Sequence, residues 1–125
     1  MGTRGYIVIK FNNKYYAIYN PYDSYPSCLG KKIIEYLTKL IDVDVLGNTQ
    51  YCLDLMIYFF TKEYKKTEDF RIEDYYSIED NSVELKDFDA EWIYTIDLEK
   101  MLFTIKGYTL CPLYAKYSLI KDKDN

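Results

Sequence analysis

The stretch Gly5-Tyr6-Ile7-Val8-Ile9-Lys10-Phe11-Asn12-Asn13-Lys14-Tyr15-Tyr16-Ala17-Ile18-Tyr19-Asn20 decides the fold. Two runs rich in β-branched and aromatic residues, Gly5–Phe11 and Lys14–Asn20, flank the pair Asn12-Asn13. Asn accepts the positive φ that a two-residue hairpin turn demands. The pattern predicts a β-hairpin. Both strands carry large residues on both faces, with Tyr6 and Val8 opposed to Ile7 and Ile9. One face is expected to pack on helices. The other needs a different cover, and a second copy of the chain is one candidate.

Downstream, Pro21–Gly30 is a loop of turn formers in which Ser27 is a candidate helix cap. Leu29, Ile33, Leu37, Leu40 and Ile41 then fall on one face of a helix. Asp42–Val45 alternates and is ambiguous. Gly47-Asn48 breaks the chain, and Asn48 or Thr49 caps a second helix with the stripe Leu53, Met56, Ile57, Phe60 and Tyr64. Lys62, Lys65 and Lys66 gather at its C-terminal end, where cations suit the helix dipole.

A second hairpin is expected further on. Glu91–Leu98 alternates, with Trp92, Tyr94, Ile96 and Leu98 on one face and Ile93 and Thr95 on the other; Met101–Lys106 mirrors it, and Gly107 ends it. Leu110–Ile120 adds an edge strand or a closing turn, since Pro112 limits how central it can be. Between the helices and this hairpin, residues 67–91 hold ten acids against two bases. They read as a loop-rich excursion with a short helix or strand near Ile72–Tyr76. The charged tail 121–125 is expected to fray. The expected fold is a single α+β domain over residues 1–125: β-β-α-α-β-β in order, an antiparallel sheet of two hairpins, two helices on one face.

Composition excludes several classes of function. The net charge is −4, and outside the acidic excursion the basic excess is modest, so neither nucleic acid nor an anionic membrane is an expected partner. Cys28, Cys52 and Cys111 have no metal-like spacing and the chain has no His, which leaves no usual zinc set and suggests reduced thiols in a cytoplasmic setting. No metal or cofactor is implied. The longest apolar stretch, Leu55–Phe60, is too short to span a bilayer. Tyr is abundant, at 16 residues, and codon usage in an AT-rich genome accounts for much of that excess.

The densest polar and aromatic group is Asn20-Pro21-Tyr22-Asp23-Ser24-Tyr25-Pro26, at the end of the first hairpin. Loops in such positions often carry function. The candidate binding residues are Arg4, Asn20, Tyr22, Asp23, Ser24 and Tyr25. Serine chemistry normally needs an oriented base, usually His, so no catalytic residue is assigned. An Asx-type turn in which Asp23 and Ser24 bond local backbone is the competing explanation. Arg4 precedes the first strand and Asp23 follows the second, so the hairpin brings them side by side and an Arg4–Asp23 anchor is expected.

Gly2-Thr3-Arg4-Gly5 and Tyr19-Asn20-x-x-Asp23-Ser24-Tyr25-Pro26-x-x-Leu29-Gly30 resemble a family of small uncharacterised proteins of fungi, phages and large DNA viruses. The late segment Glu91-Trp92-x-Tyr94-x-Ile96-Asp97-Leu98 is similar as well. The resemblance covers about half the chain. It brings no activity; the AT-rich composition fits a large DNA virus as the source, with host cytoplasm or virion as the location. Family members commonly carry His after the Asn, where this chain has Pro21.

The leading functional expectation is a non-catalytic protein-interaction or structural module that forms a homo-oligomer or takes a protein partner. The alternatives are a small anionic-ligand binder at the Asn20–Pro26 loop, or a degenerate relative of N-terminal-nucleophile hydrolases in which Thr3 would need exposure.

Overall fold

In the computed structural model, residues 3–42, 47–63, 76–80, 90–107 and 113–119 are described. Strands β1 (Gly5–Phe11) and β2 (Lys14–Asn20) form the predicted hairpin, with Phe11 opposite Lys14. Asn12 and Asn13 take φ of 55° and 62°, the doubly left-handed turn that matches strand twist. Helices α1 (Lys31–Asp42) and α2 (Thr49–Tyr58) follow. Then come β3 (Tyr76–Asp80), β4 (Trp92–Asp97), β5 (Leu102–Gly107) and β6 (Leu113–Ser118).

The α+β class and both hairpins are present, but the sheet is mixed rather than antiparallel. Six strands lie in the order β3-β2-β1-β4-β5-β6, and the central pair β1 and β4 is parallel. Two features explain this correction. Ile7, Val8 and Ile9 in β1, and Ile93 through Ile96 in β4, are buried on consecutive positions, as central strands covered on both faces must be. The link from β2 to β4 is long enough for a crossover, which parallel neighbours require. Tight turns fix the direction within each hairpin and leave the direction between hairpins open. The order also gains two edge strands. β3 lies inside the acidic excursion, and β6 is the edge-strand alternative for Leu110–Ile120.

The parallel pair puts both hairpin turns at one end of the sheet. Leu98 N donates to Lys10 O at 3.0 Å, and Asn13 N donates to Glu99 Oε1 at 3.2 Å. Asp97 Oδ1 accepts from Glu99 N and Lys100 N and so shapes the second turn.

The helices cover one face of the sheet. Ile7, Ile9, Ile18, Tyr94, Ile96, Phe103 and Ile105 pack there against Ile33, Leu37 and Leu40 of α1 and Leu53 and Met56 of α2. Asn48 caps α2, its side chain accepting from Tyr51 N. Ser27 does not cap α1. It sits inside a wide π-type turn, Pro26–Gly30, which leads into the helix and drops Leu29 into the core. A second π-type turn, Phe59–Glu63, ends α2 and buries Phe60. On the opposite face Val8, Ala17 and Ile93 form a small cluster with Tyr6 and Tyr15. Among the described residues, no helix is long and apolar enough to cross a membrane. The tail 121–125, and most of the acidic segment, lie outside the described residues.

Candidate functional site

The corner at the end of the first hairpin brings Asn20, Ser24 and Gly5 together. Asn20 and Ser24 are buried. Asn20 Nδ2 donates to Tyr22 O at 2.6 Å and to Ser24 Oγ at 2.8 Å; Ser24 Oγ donates in turn to Asn20 O at 3.1 Å. Ser24 N donates to Thr3 O, and the Tyr94 hydroxyl donates to Ser24 O. Asp23 adopts φ of 54°, which Asp tolerates better than most residues. Ser24 is thus bonded through its amide, its carbonyl and its hydroxyl. A hydroxyl so committed within a buried turn is a structural strut, and Thr3 enters it through its carbonyl.

Arg4 takes a different partner from the one expected. Its amide N donates to Glu91 Oε2 at 2.9 Å, and its Nε and Nη2 reach Oε2 and Oε1 at 3.3 and 3.4 Å. Arg4 O accepts from the amides of Glu91 and Trp92. The clamp ties the start of β1 to the start of β4, which is possible because those strands are parallel. Asp23 was expected because the hairpin alone sets its two ends side by side; the parallel neighbour brings Glu91 to the same end. Asp23 instead lines a surface depression with Ser27, Cys28, Lys31, Lys32 and Glu35. Tyr22 and Tyr25 project into solvent, 66% and 49% exposed. The six sequence candidates therefore divide into a buried strut (Asn20, Ser24), an ion pair (Arg4) and an exposed rim (Tyr22, Asp23, Tyr25).

Glu91 is the residue of this corner that the sequence reading missed, since it counted only as one of ten acids. Desolvation pushes its carboxyl up, but the hydrogen bonds from Arg4 and from backbone amides, with the guanidinium charge, outweigh that and hold it below the usual range. The fold thus favours the ionised form. Its contribution is complete above the unfolded-state pKa and is lost as pH falls through the lowered folded value. Both side chains are more than a third exposed, so solvent screens the pair and it contributes no more than about 1 kcal/mol. Glu91→Gln is expected to be slightly less stable than wild type at neutral pH, with the deficit shrinking as the solution is acidified through the lowered folded value, measured by chemical denaturation at neutral and acid pH. An equal deficit at both pH values would show that the charge plays no part.

Two further features lie away from this corner. At the β6 edge, Ile34, Leu37 and Ile41 of α1 and Phe103, Tyr117 and Leu119 line an apolar groove. Tyr117, 45% exposed, lines that groove, while Leu113, 57% exposed, stands on the other face of β6. On the sheet face away from the helices, an open basin of about 430 Å³ is lined by Lys10, Tyr15, Thr95, Asp97, Thr104 and Lys106, with Lys100, Lys116, Leu102 and Leu113 around it. Its signal in the sequence is the period-two polar set on strands whose alternate residues are core: Lys10 in β1, Thr95 and Asp97 in β4, Thr104 and Lys106 in β5, Lys116 in β6.

No family model, curated protein or solved structure matches the chain. The resemblance to small viral, phage and fungal proteins rests on its sequence motifs alone.

Proposed function

We propose that the protein is a non-catalytic interaction module that self-associates by strand addition at β6. The observation that carries this reading is the combination of an edge strand bearing exposed Leu113 and Tyr117 with an apolar groove running beside it. Among the described residues, no strand pairs with the outer side of β6. A sheet edge offers main-chain hydrogen bonds to an incoming strand, and an adjoining groove receives that strand's alternate side chains. A second copy supplies such a strand in its own β6. The corner at Asn20 and Ser24 supports the same non-catalytic reading, because its polar groups are engaged with one another. A viral source belongs to this proposal, on the AT-rich composition and the sequence motifs.

Light scattering coupled to size exclusion tests it. The expected mass is twice the 15.0 kDa of one chain. Leu113→Lys, which places a charge on an exposed edge position, is expected to return the single-chain mass with an unchanged circular dichroism spectrum. A wild-type chain that stays at the single-chain mass up to millimolar concentration would remove the proposal.

A further inference from the structure

The basin on the sheet face away from the helices has a feature that strand addition does not use. Thr95 is only 7% exposed, it lines the basin, and its Oγ1 has no hydrogen-bond partner. A buried hydroxyl without a partner is costly, and native proteins seldom leave one without a reason. Four lysines surround it: Lys10 from β1, Lys100 from the β4–β5 turn, Lys106 from β5 and Lys116 from β6. Among the described residues, the one acid lining the basin is Asp97, and its Oδ1 already accepts from two backbone amides, at 2.9 and 3.0 Å. In a chain of net charge −4, this is a local concentration of positive charge against the overall sign.

Thr95 and Thr104 are cross-strand partners in the lining of the basin, in a row that begins with the fully buried Ala17 and Val8. Lys116 completes the row on β6. Taller side chains stand on the neighbouring rows: Tyr15, Lys10, Asp97 and Leu102 on one side, Ile93 and Lys106 on the other. Lys10 Nζ lies 6.0 Å from the centre of the Tyr15 ring, so a cation and an aromatic face adjoin at one end. Leu102 and Leu113 add apolar surface at the other.

We infer that this basin binds a phosphorylated small molecule of the nucleotide class. Its phosphate oxygens accept from the Thr95 hydroxyl inside the lysine ring, and its ring body lies against Tyr15 or the two leucines. A phosphate supplies what the site lacks, namely anionic acceptors for a donor that has none and counter-charge for several ammonium groups. The lysines stand on β1, β5 and β6, strands that span roughly 14 Å at the usual interstrand spacing. That separation favours a chain of phosphates over a single one. The inference does not rest on strand addition, although Leu113 and Lys116 of β6 line the basin: a chain that stays at the single-chain mass and still binds ATP removes only the first reading, and a dimer that does not bind ATP removes only this one.

Amide and methyl shift mapping with ATP, inorganic phosphate and a single-stranded oligothymidine, all on the full chain, tests the inference. ATP is expected to shift Thr95, Thr104 and Lys106 while leaving Asn20 and Ser24 in place, and to bind more tightly than phosphate. Thr95→Val keeps the shape and removes the hydroxyl. It is expected to leave stability unchanged or raised, since an unsatisfied group is removed, and to weaken ATP about tenfold, the measure of one hydrogen bond to a charged acceptor. Lys106→Gln with Lys116→Gln is expected to weaken it by a similar factor and to flatten the salt dependence. No ATP-induced shift in the basin would overturn the inference. So would equal affinity for wild type and Thr95→Val, or binding of the oligonucleotide alone.

Discussion

Gly5→Ala is expected to destabilise the protein by about 1–3 kcal/mol, the usual cost of forcing an atom into a packed site. A Cβ at Gly5 would lie 2.6 Å from Ser24 Cβ, 2.7 Å from Ser24 Oγ and 3.1 Å from Trp92 O. None of these can move freely. Ser24 is held by its amide on Thr3 O, by its hydroxyl bonds with Asn20 and by the Tyr94 hydroxyl on its carbonyl. Trp92 O belongs to the backbone of the parallel neighbour, opposite Gly5 in the register. The glycine thus serves close approach on two sides; its φ is not positive. Urea denaturation of Gly5→Ala, Ser24→Gly and the double variant checks this. Ser24→Gly alone removes the strut and is expected to cost about 1–3 kcal/mol through the buried hydrogen bonds that the Ser24 hydroxyl makes with Asn20. The double variant should fall short of the sum, because removing Ser24 Cβ makes room for the new methyl group. Strict additivity would mean that Gly5 and Ser24 do not meet.

The local elements were legible because each is written in a short stretch. Asn12-Asn13 specifies its turn, Asn48 its cap, and the alternation through Trp92, Tyr94 and Ile96 its strand, whose core face is the expected one. What joins them was not legible, because it depends on pairings between distant segments. The sheet's mixed character is one such case. It was hinted at by the double-faced apolar runs in β1 and β4, which suit a central parallel pair as well as they suit a second copy of the chain. The Arg4 pairing is another: Asp23 was expected from the geometry of the first hairpin alone, whereas Glu91 reaches Arg4 across the parallel strand pair. At the loop, the sequence left two roles open, a binding site or a turn. Asn20 and Ser24 turned out to knit the turn. The basin was invisible for a different reason. Lys10, Thr95, Thr104, Lys106 and Lys116 are scattered over more than a hundred positions, in a chain whose overall charge is negative. Only the register of four strands gathers them.

The largest loss is expected from Phe60→Ala, about 3–5 kcal/mol for a fully buried aromatic ring. Phe60 lies edge-on to Tyr36, with ring centroids 5.7 Å apart at 71°, and edge-on to Phe59 at 5.1 Å and 78°. Phe59 in turn stacks flat on Tyr36, at 4.0 Å and 7°. Three rings from α1 and the end of α2 therefore form one mutually packed group, and such pairs contribute beyond the area they bury. In a continuous α-helix, adjacent residues point about 100° apart, which makes it hard for two neighbours to reach the same ring. The π-type turn Phe59–Glu63 changes that spacing and lets both do so. The periodicity of the sequence placed Phe60 in the core stripe but gave Phe59 no role, as expected for a rule built on 3.6 residues per turn. The two positions should differ in a measurable way. Phe60 is enclosed, while Phe59 keeps part of its surface in solvent. Phe59→Ala should cost clearly less than Phe60→Ala, and the double variant should show coupling, since each ring supports the other against Tyr36. Denaturant midpoints at constant slope would establish the ranking. A Phe59→Ala variant as unstable as Phe60→Ala would mean that the turn does not set the two rings as described. Phe60→Leu, which keeps most of the volume but loses the edge-on contacts, should fall between wild type and Phe60→Ala.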